Sequence, residues 1–378
     1  MKFRTSAPIV MTCSVVAVIT MVSFVSYLIS HRMTAEFEDE QFKLMGQIMQ
    51  SKLHGAEGKA IAAAEMMVAM PEVGGAFAAR DRARLLAATR DAYRVQHEKY
   101  GISQAQFHLA PAESFLRVHN PEKFGDDLSA TRQMVVEVNR SNGIRKGIEI
   151  TSSGIGIFGT MPVKDDAGKP VGSFEVGLEV EPLLNELKKA YGFELGFFVD
   201  EKTLRETATA LKGNALSDSN RVGSFVRFSS THPDLLKALV TDADVNVIEA
   251  AHYLREVNGV PHGVLLQPVY SYAKQQIGVM AIAADFTKTR SADGQAVVWQ
   301  ILLALVSGVL QIGVIMVMVR GKIERPLEVL NERVAALADG AEGRDPPDSE
   351  TLSDEMRTLA ENCERLAARA EAGKGGAS

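Results

Sequence analysis

MPVKDDAGKPVG (161–172) and QPVYSYAKQQIG (267–278) share a Pro-Val and a closing Gly at one separation, and the second copy lies 106 positions after the first (162 to 268, 172 to 278). Each copy closes one run of alternating residues and opens another, the pattern of a hairpin. Working outward, GIEIT (147–151), GIGIFGTMPV (154–163) and PVGSFEVGLEVE (170–181) read as strands around the first copy. HYLREVNG (252–259), GVLLQPVYSY (263–272) and QIGVMAIAADF (276–286) read the same way around the second. A helix over 181–191 and a strand FELGFFVD (193–200) open the second half. Ahead of the first half come a helix over 79–99 that buries Leu85, Leu86, Ala92 and Tyr93 and stops at Gly101, and a pair of strands at 102–110 and 114–119. A short helix over 126–140 follows them, with Asp126 as N-cap. The expected fold class is α+β: two stacked lobes, about 71–180 and 181–290, each with an antiparallel sheet, hung on one long N-terminal helix.

That long helix is read over 33 to about 70, where Met33, Phe37, Leu44 and Ile48 keep a helical stripe and Pro71 ends it. It runs straight out of IVMTCSVVAVITMVSFVSYLIS (9–30), which carries no charge; neither does AVVWQILLALVSGVLQIGVIMVMV (296–319). At about 1.5 Å per residue both are long enough to cross a hydrocarbon core. The first is longer than a signal-peptide core and no small-x-small cleavage site follows, so it reads as an uncleaved anchor. Lys2 and Arg4 precede the first span, Arg320, Lys322 and Arg325 follow the second, and Glu36, Glu38, Asp39 and Glu40 lie between. The basic flanks put both termini in the cytoplasm and 31–295 outside the membrane, in the periplasm of a bacterial inner membrane. The expected segments are a cytoplasmic N-terminus 1–7, spans 8–30 and 296–319, an exported region 31–295, a cytoplasmic segment 320–372 and a flexible tail 373–378. With 378 residues, 46% hydrophobic content and a net charge of −6, nothing marks a nucleic-acid partner. Cys13 and Cys363 fall in a span and in the tail, leaving the exported region without a disulfide.

SFLRVHNPEKFGDD (114–127) ends a strand with a cation and an imidazole two residues apart. Parity puts Phe115, Arg117 and His119 on one face and Leu116 and Val118 on the other. On 170–181, Phe174, Val176, Leu178 and Val180 face one way, and Ser173, Glu175 and Glu179 the other. The apolar faces would pack on the long helix, and the polar ones would meet water or line a cavity. Arg117 offers a planar fork for a carboxylate, His119 a second bond, and Arg132 further charge. Two readings stand side by side: an anion grip, or a structural bridge from Arg117 to Asp126 or Asp127 with His119 capping a loop. A metal site on His108, His119 and an Asp lacks a tight ligand spacing, so neither a metal nor a cofactor is expected. GIGIFG (154–159) fits G-x-G-x-x-G, but Thr160 to Val163 continue an extended segment where a dinucleotide site needs a helix. With no Walker lysine motif, zinc-type His pair or nucleophile elbow, an enzyme is not expected.

In the tail, Ile323, Leu327, Leu330, Val334 and Leu337 are spaced 4, 3, 4, 3, and Met356, Leu359, Cys363, Leu366 and Ala370 are spaced 3, 4, 3, 4. These are two short heptad stripes joined by GAEGRDPPDSETLS (340–353), suited to a bundle from two chains. The segment resembles a HAMP domain: the basic membrane exit with Pro326 in IERPLEVL, Asp339-Gly340 closing the first helix, and SDEMRTL (353–359) where the family carries Asp-Glu-Ile-Gly. Met356 and Arg357 depart from that Ile-Gly. The resemblance makes Pro326 and Glu355 relay residues.

In that context 31–290 resembles a double Cache sensor with two PAS-like sheets, as in methyl-accepting chemotaxis receptors and related kinases. The resemblance rests on QFHLAPAESFLRVHNPEKFGDDLSATR (106–132), GIEI and the MPV…VGSFEVG hairpin. It implies a membrane-distal first lobe that binds a small extracellular ligand. It gives Arg117 and His119 the role of holding a carboxylate, with His108, Arg132 and Phe115 as further candidates, and it implies a homodimer. The chain ends soon after the HAMP-like segment, so a signalling partner in trans is expected, such as a kinase or another receptor. The rival expectation is a shortened receptor or scaffold that regulates such a partner without sensing a ligand.

Overall fold

The structure is a computed structural model that describes residues 3–211, 216–338 and 354–375. It divides into two compact units, Glu36–Arg290 and a second formed by Met1–Ala35 with Ser291–Ser378.

Helix α1 (Phe3–Val68) is unbroken, so the first apolar stretch and the long helix read after it are one element. Within the larger unit it buries Phe42, Met45 and Met49 against the second lobe, and Ala60, Ala63, Ala64 and Met67 against the first. Phe37 and Leu44 of the stripe read from the sequence stay 54% and 53% exposed on the outer side of the helix, while Ile48 packs against the second-lobe core. A short helix α2 (Val73–Ala78) follows. Then α3 (Arg82–Tyr100) starts at an Asp81 N-cap and ends at Gly101, which adopts the left-handed C-cap conformation.

The first lobe is a five-stranded antiparallel sheet of β1 (Ile102–Leu109), β2 (Glu113–Arg117), β3 (Arg145–Thr151), β4 (Gly154–Lys164) and β5 (Pro170–Glu179), in the order β2-β1-β5-β4-β3. Helix α4 (Gln133–Ser141) precedes β3. Helix α5 (Val180–Tyr191) leads to the second lobe, where β6 (Glu194–Asp200), β7 (Arg221–Val222), β8 (Phe225–Ser230), β9 (Ala251–Val257), β10 (Val260–Tyr270) and β11 (Gln276–Asp285) form a sheet in the order β7-β8-β6-β11-β10-β9. Leaving out the two-residue β7, the two orders coincide strand for strand, which bears out the repeat. Helices α6 (Glu201–Thr207) and α7 (Pro233–Leu239) decorate the second sheet. GIGIFG lies inside β4, a strand, as its extended continuation requires.

The repeated glycines have a common physical reason. A Cβ on Gly172 would stand 2.4 Å from the His108 carbonyl oxygen of β1. One on Gly278 would stand 2.3 Å from the Phe198 carbonyl oxygen of β6. At the same place in each sheet, the hairpin strand passes too close to its neighbour's backbone for any side chain.

In the other unit, α1 and α8 (Thr287–Val319) contain stretches long and apolar enough to cross a membrane. Gln300 Nε2 donates to Ser26 Oγ at 2.7 Å between them. A π-helical turn, Arg320–Glu324, leads into α9 (Arg325–Ala338), and α10 (Asp354–Gly375) follows. Pro326 is buried at the start of α9, while Leu327 and Val334 of the heptad stripe are exposed. The expected Asp339-Gly340 helix end lies outside the described residues, as does the side chain of Glu355.

Candidate ligand-binding site

Cross-strand pairing fixes which residues share the first lobe's second face. Gln106 stands opposite Glu175 and Arg117, His108 opposite Ser173 and Ser114, and Thr160 opposite Glu175. These side chains line the face turned away from α1, and all of them are buried. The register of β1 against β2 slips by one residue between Phe107 and His108, so β2 carries one extra residue, Phe115. That bulge corrects the expected parity. Ser114 and Arg117 take the polar face, while Phe115 joins the apolar core with its ring 5.2 Å from that of Phe77.

Arg117 gives both guanidinium ends to Asp126, Nη1 to Oδ1 at 2.7 Å and Nη2 to Oδ2 at 2.6 Å, and Nη1 also donates to the Lys123 carbonyl at 2.9 Å. The hydrogen bond from Arg117 holds the Asp126 carboxyl below its usual range. This bidentate pair explains why Asp126 is not the expected N-cap: α4 starts only at Gln133, and its N-cap position, Arg132, makes no side-chain cap. His119 lies at the sheet edge, its Nδ1 3.1 Å from the Ala105 carbonyl oxygen and 3.2 Å from the Ala105 amide.

Arg132 enters the middle of the face. Its Nη2 donates to Glu175 Oε1, its Nε lies 4.0 Å from Glu149 Oε2, and its guanidinium sits 4.2 Å over the Phe158 ring. Glu149 Oε1 accepts from the Met134 amide at 2.9 Å, and Thr160 Oγ1 donates to Glu175 Oε2 at 3.3 Å. His108 is fully buried, 3.9 Å from Glu175 Oε1. Burial, then the charges of Arg132 and Arg117, push its pKa well below the ordinary histidine value, so it is neutral. Burial alone is the leading cause of a lowered Arg132 and a raised Glu149.

Native interiors pair nearly all such groups. Here both His108 ring nitrogens, Arg132 Nη1, Glu149 Oε2 and Ser173 Oγ are buried without a hydrogen-bond partner among the described residues. Donors and acceptors stand ready on one sheet face, which is what a small polar ligand would satisfy. Of the sequence candidates, the fold gathers Arg132, His108 and Arg117 on this face, puts His119 on its edge and takes Phe115 away from it. Glu175, Glu149, Thr160 and Ser173 join them. The signal for Ser173 and Glu175 was their parity; Glu149 stood as the polar member between two isoleucines.

The second lobe carries different chemistry on the matching face. At the same offset, Thr160, Ser173 and Glu175 correspond to Leu266, Val279 and Ala281, which pack in an apolar core with Phe198 and Val264.

Two α+β lobes of one strand order on a single helix, one with a buried polar face, define a double sensory domain. The chain belongs to the family described as the double sensory domain of two-component sensor kinases, which matches residues 38–289. Among solved structures, the ligand-binding domain of the Campylobacter jejuni chemoreceptor Tlp3 in complex with 4-methylisoleucine is similar at 13% identity and a TM-score of 0.41, covering 68% of this chain and 93% of that one. The periplasmic domain of Vibrio cholerae LuxQ is similar at 10% identity and a TM-score of 0.39, covering 64% and 98%. The sensor domain of the V. cholerae histidine kinase DctB is similar at 9% identity and a TM-score of 0.40, covering 67% and 98%. No curated protein matches the sequence.

Proposed function

We propose that the chain is a transmembrane sensor that binds a small extracellular ligand on the polar face of its first, membrane-distal lobe. The observation that carries this reading is the set of unpaired buried groups around Arg132, His108 and Glu149. A guanidinium nitrogen and a carboxylate oxygen that both lack a hydrogen bond among the described residues suit a ligand with both an anionic group and a hydrogen-bond donor, such as a carboxylate bearing an amino or hydroxyl group. Arg117 would add a second cation once Asp126 released it. Residues 8–30 and 296–319 would span the inner membrane, and 320–372 would act as a HAMP relay through Pro326 and Glu355. Ligand would favour one arrangement of the first lobe, shift the second span slightly, and change the HAMP packing sensed by a cytoplasmic partner. A thermal-shift screen of amino- and hydroxy-carboxylates against the full chain in detergent tests this. Some of these compounds should raise the melting temperature, and Arg117→Ala should shrink the rise. If only uncharged compounds stabilise the protein, the anion-binding reading fails.

The same reading makes the receptor a homodimer. Phe37 and Leu44, seven residues apart on one side of α1, are exposed where a second copy's helix could cover them. The double change Phe37→Glu with Leu44→Glu is expected to weaken self-association by roughly a hundredfold or more, from the apolar surface it removes. Sedimentation of the detergent-solubilised chain reads this out, and an unchanged dimer would place the interface elsewhere.

A further inference from the structure

A second site lies between α1, the first lobe's edge strand β3 and the β10–β11 hairpin of the second lobe. There a cavity of about 390 Å³ is open at Gln50 and His54 and lined deeper by Met49, Leu53, Ile148, Gln267, Ser271 and Met280. Its size falls within the range of small-molecule pockets.

Gln267 is the anomaly in this wall. It lies on the side of β10 that faces α1, between Leu265 and Val269, and directly opposite Met280. The residue at the same place in the first lobe is Met161, which packs against the core there. An apolar position of the repeat has thus become an amide in the second lobe. Its Oε1 is buried without a partner among the described residues, and so is Ser271 Oγ at the end of the same strand. Both residues line the cavity. Leaving such polar atoms unmet is unfavourable, so their presence is explained if an occupant donates to the Gln267 oxygen and lies against the Ser271 hydroxyl.

The rest of the lining restricts that occupant. Lys146 Nζ already lies 3.6 Å from Glu57 Oε2, so the charges at the rim have each other. Met49 and Met280 offer flexible apolar walls that adapt to shape. We infer that this cavity is a binding site for a neutral, mainly apolar small molecule carrying one N–H or O–H donor, held by Gln267 and Ser271. The two lobes also meet directly here, the Tyr272 amide donating to the Ile148 carbonyl at 3.2 Å. An occupant is therefore gripped by both lobes and by α1, and it favours whichever lobe arrangement closes on it. This inference does not depend on what the first lobe binds.

Indole, a flat apolar molecule with one N–H, is the probe, and 1-methylindole is its donor-free partner. The full chain in lipid nanodiscs is labelled with methyl-¹³C methionine, and the Met49 and Met280 signals are assigned by substitution to leucine. Indole should move both signals saturably and leave the first-lobe core residue Met67 in place. 1-Methylindole should bind about tenfold more weakly, and Gln267→Leu should weaken indole by about the same factor. Gln50→Trp, at an exposed position on the mouth, should abolish the shifts without disturbing the core. Still Met49 and Met280 signals at saturating indole, or equal shifts in the Gln50→Trp variant, would overturn the site.

Discussion

Arg132→Ala is expected to destabilise the sensory domain by about 3–5 kcal/mol, the usual cost of stranding a buried charge. Arg132 and Glu175 are 5% and 1% exposed, and Glu149 lies on the same guanidinium. Removing the cation leaves two carboxyl groups in a closed interior, their remaining hydrogen bonds among the described residues coming from Thr160 and the Met134 amide. Urea unfolding of the wild type and the variant measures the loss. The double variant Arg132→Met with Glu175→Leu should recover part of the stability, because apolar residues of similar volume replace a buried pair well, while Glu149 stays buried without its cation. It should no longer respond to any ligand of the polar face. If the double variant stays as unstable as Arg132→Ala, the pair is not the source of the effect. If it still binds an anionic ligand, Arg132 is not part of the site.

The second large effect is acid sensitivity set by His108. Its folded pKa lies well below the ordinary 6.5, so its contribution is fully present above about 6.5 and is lost as the pH falls. Below that point the unfolded chain takes up a proton that the folded chain refuses. Between the folded and unfolded pKa values each pH unit shifts the folding equilibrium by about tenfold toward the unfolded chain. His119 acts in the same direction, chiefly through burial. Glu149 acts oppositely: its folded pKa is raised above 4.5, so acid stabilises it until the pH falls below 4.5. The comparison that isolates His108 is therefore wild type against His108→Asn, unfolded by urea at about pH 7 and about pH 5. The variant should lose clearly less stability over that interval. Equal losses in the two proteins would mean that His108 titrates normally.

Much of this architecture could be read from spacing. The Pro-Val and Gly echo located both hairpins, and the strands around it were placed to within a few residues, because alternation and backbone crowding are local properties. The segment 201–250 gave no reading at all. Its β7 has two residues and its β8 six, too short for a period to emerge. The site was half legible. Arg117 and Arg132 stood out as charges in an apolar context, but the bulge at Phe115 broke the parity that placed its neighbours. Asp126 looked like a helix cap because it precedes a run with helical spacing, and only the folded turn reveals that Arg117 holds it. Gln267 gave no warning, because one glutamine in a strand is ordinary until the strand's inner face is known.

The contrast between the two sheets bears on how such a receptor can change its specificity. On the second lobe's face, Leu266, Val279 and Ala281 answer only to volume, and the packing they form is indifferent to which molecule arrives outside. At the matching positions Thr160, Ser173 and Glu175 present buried polar groups instead. If the first lobe's polar face holds the ligand, a new preference there needs changes at only a handful of side chains, while the matching face of the second sheet stays apolar packing. One strand order thus frames a buried polar face in the first lobe and an apolar one in the second.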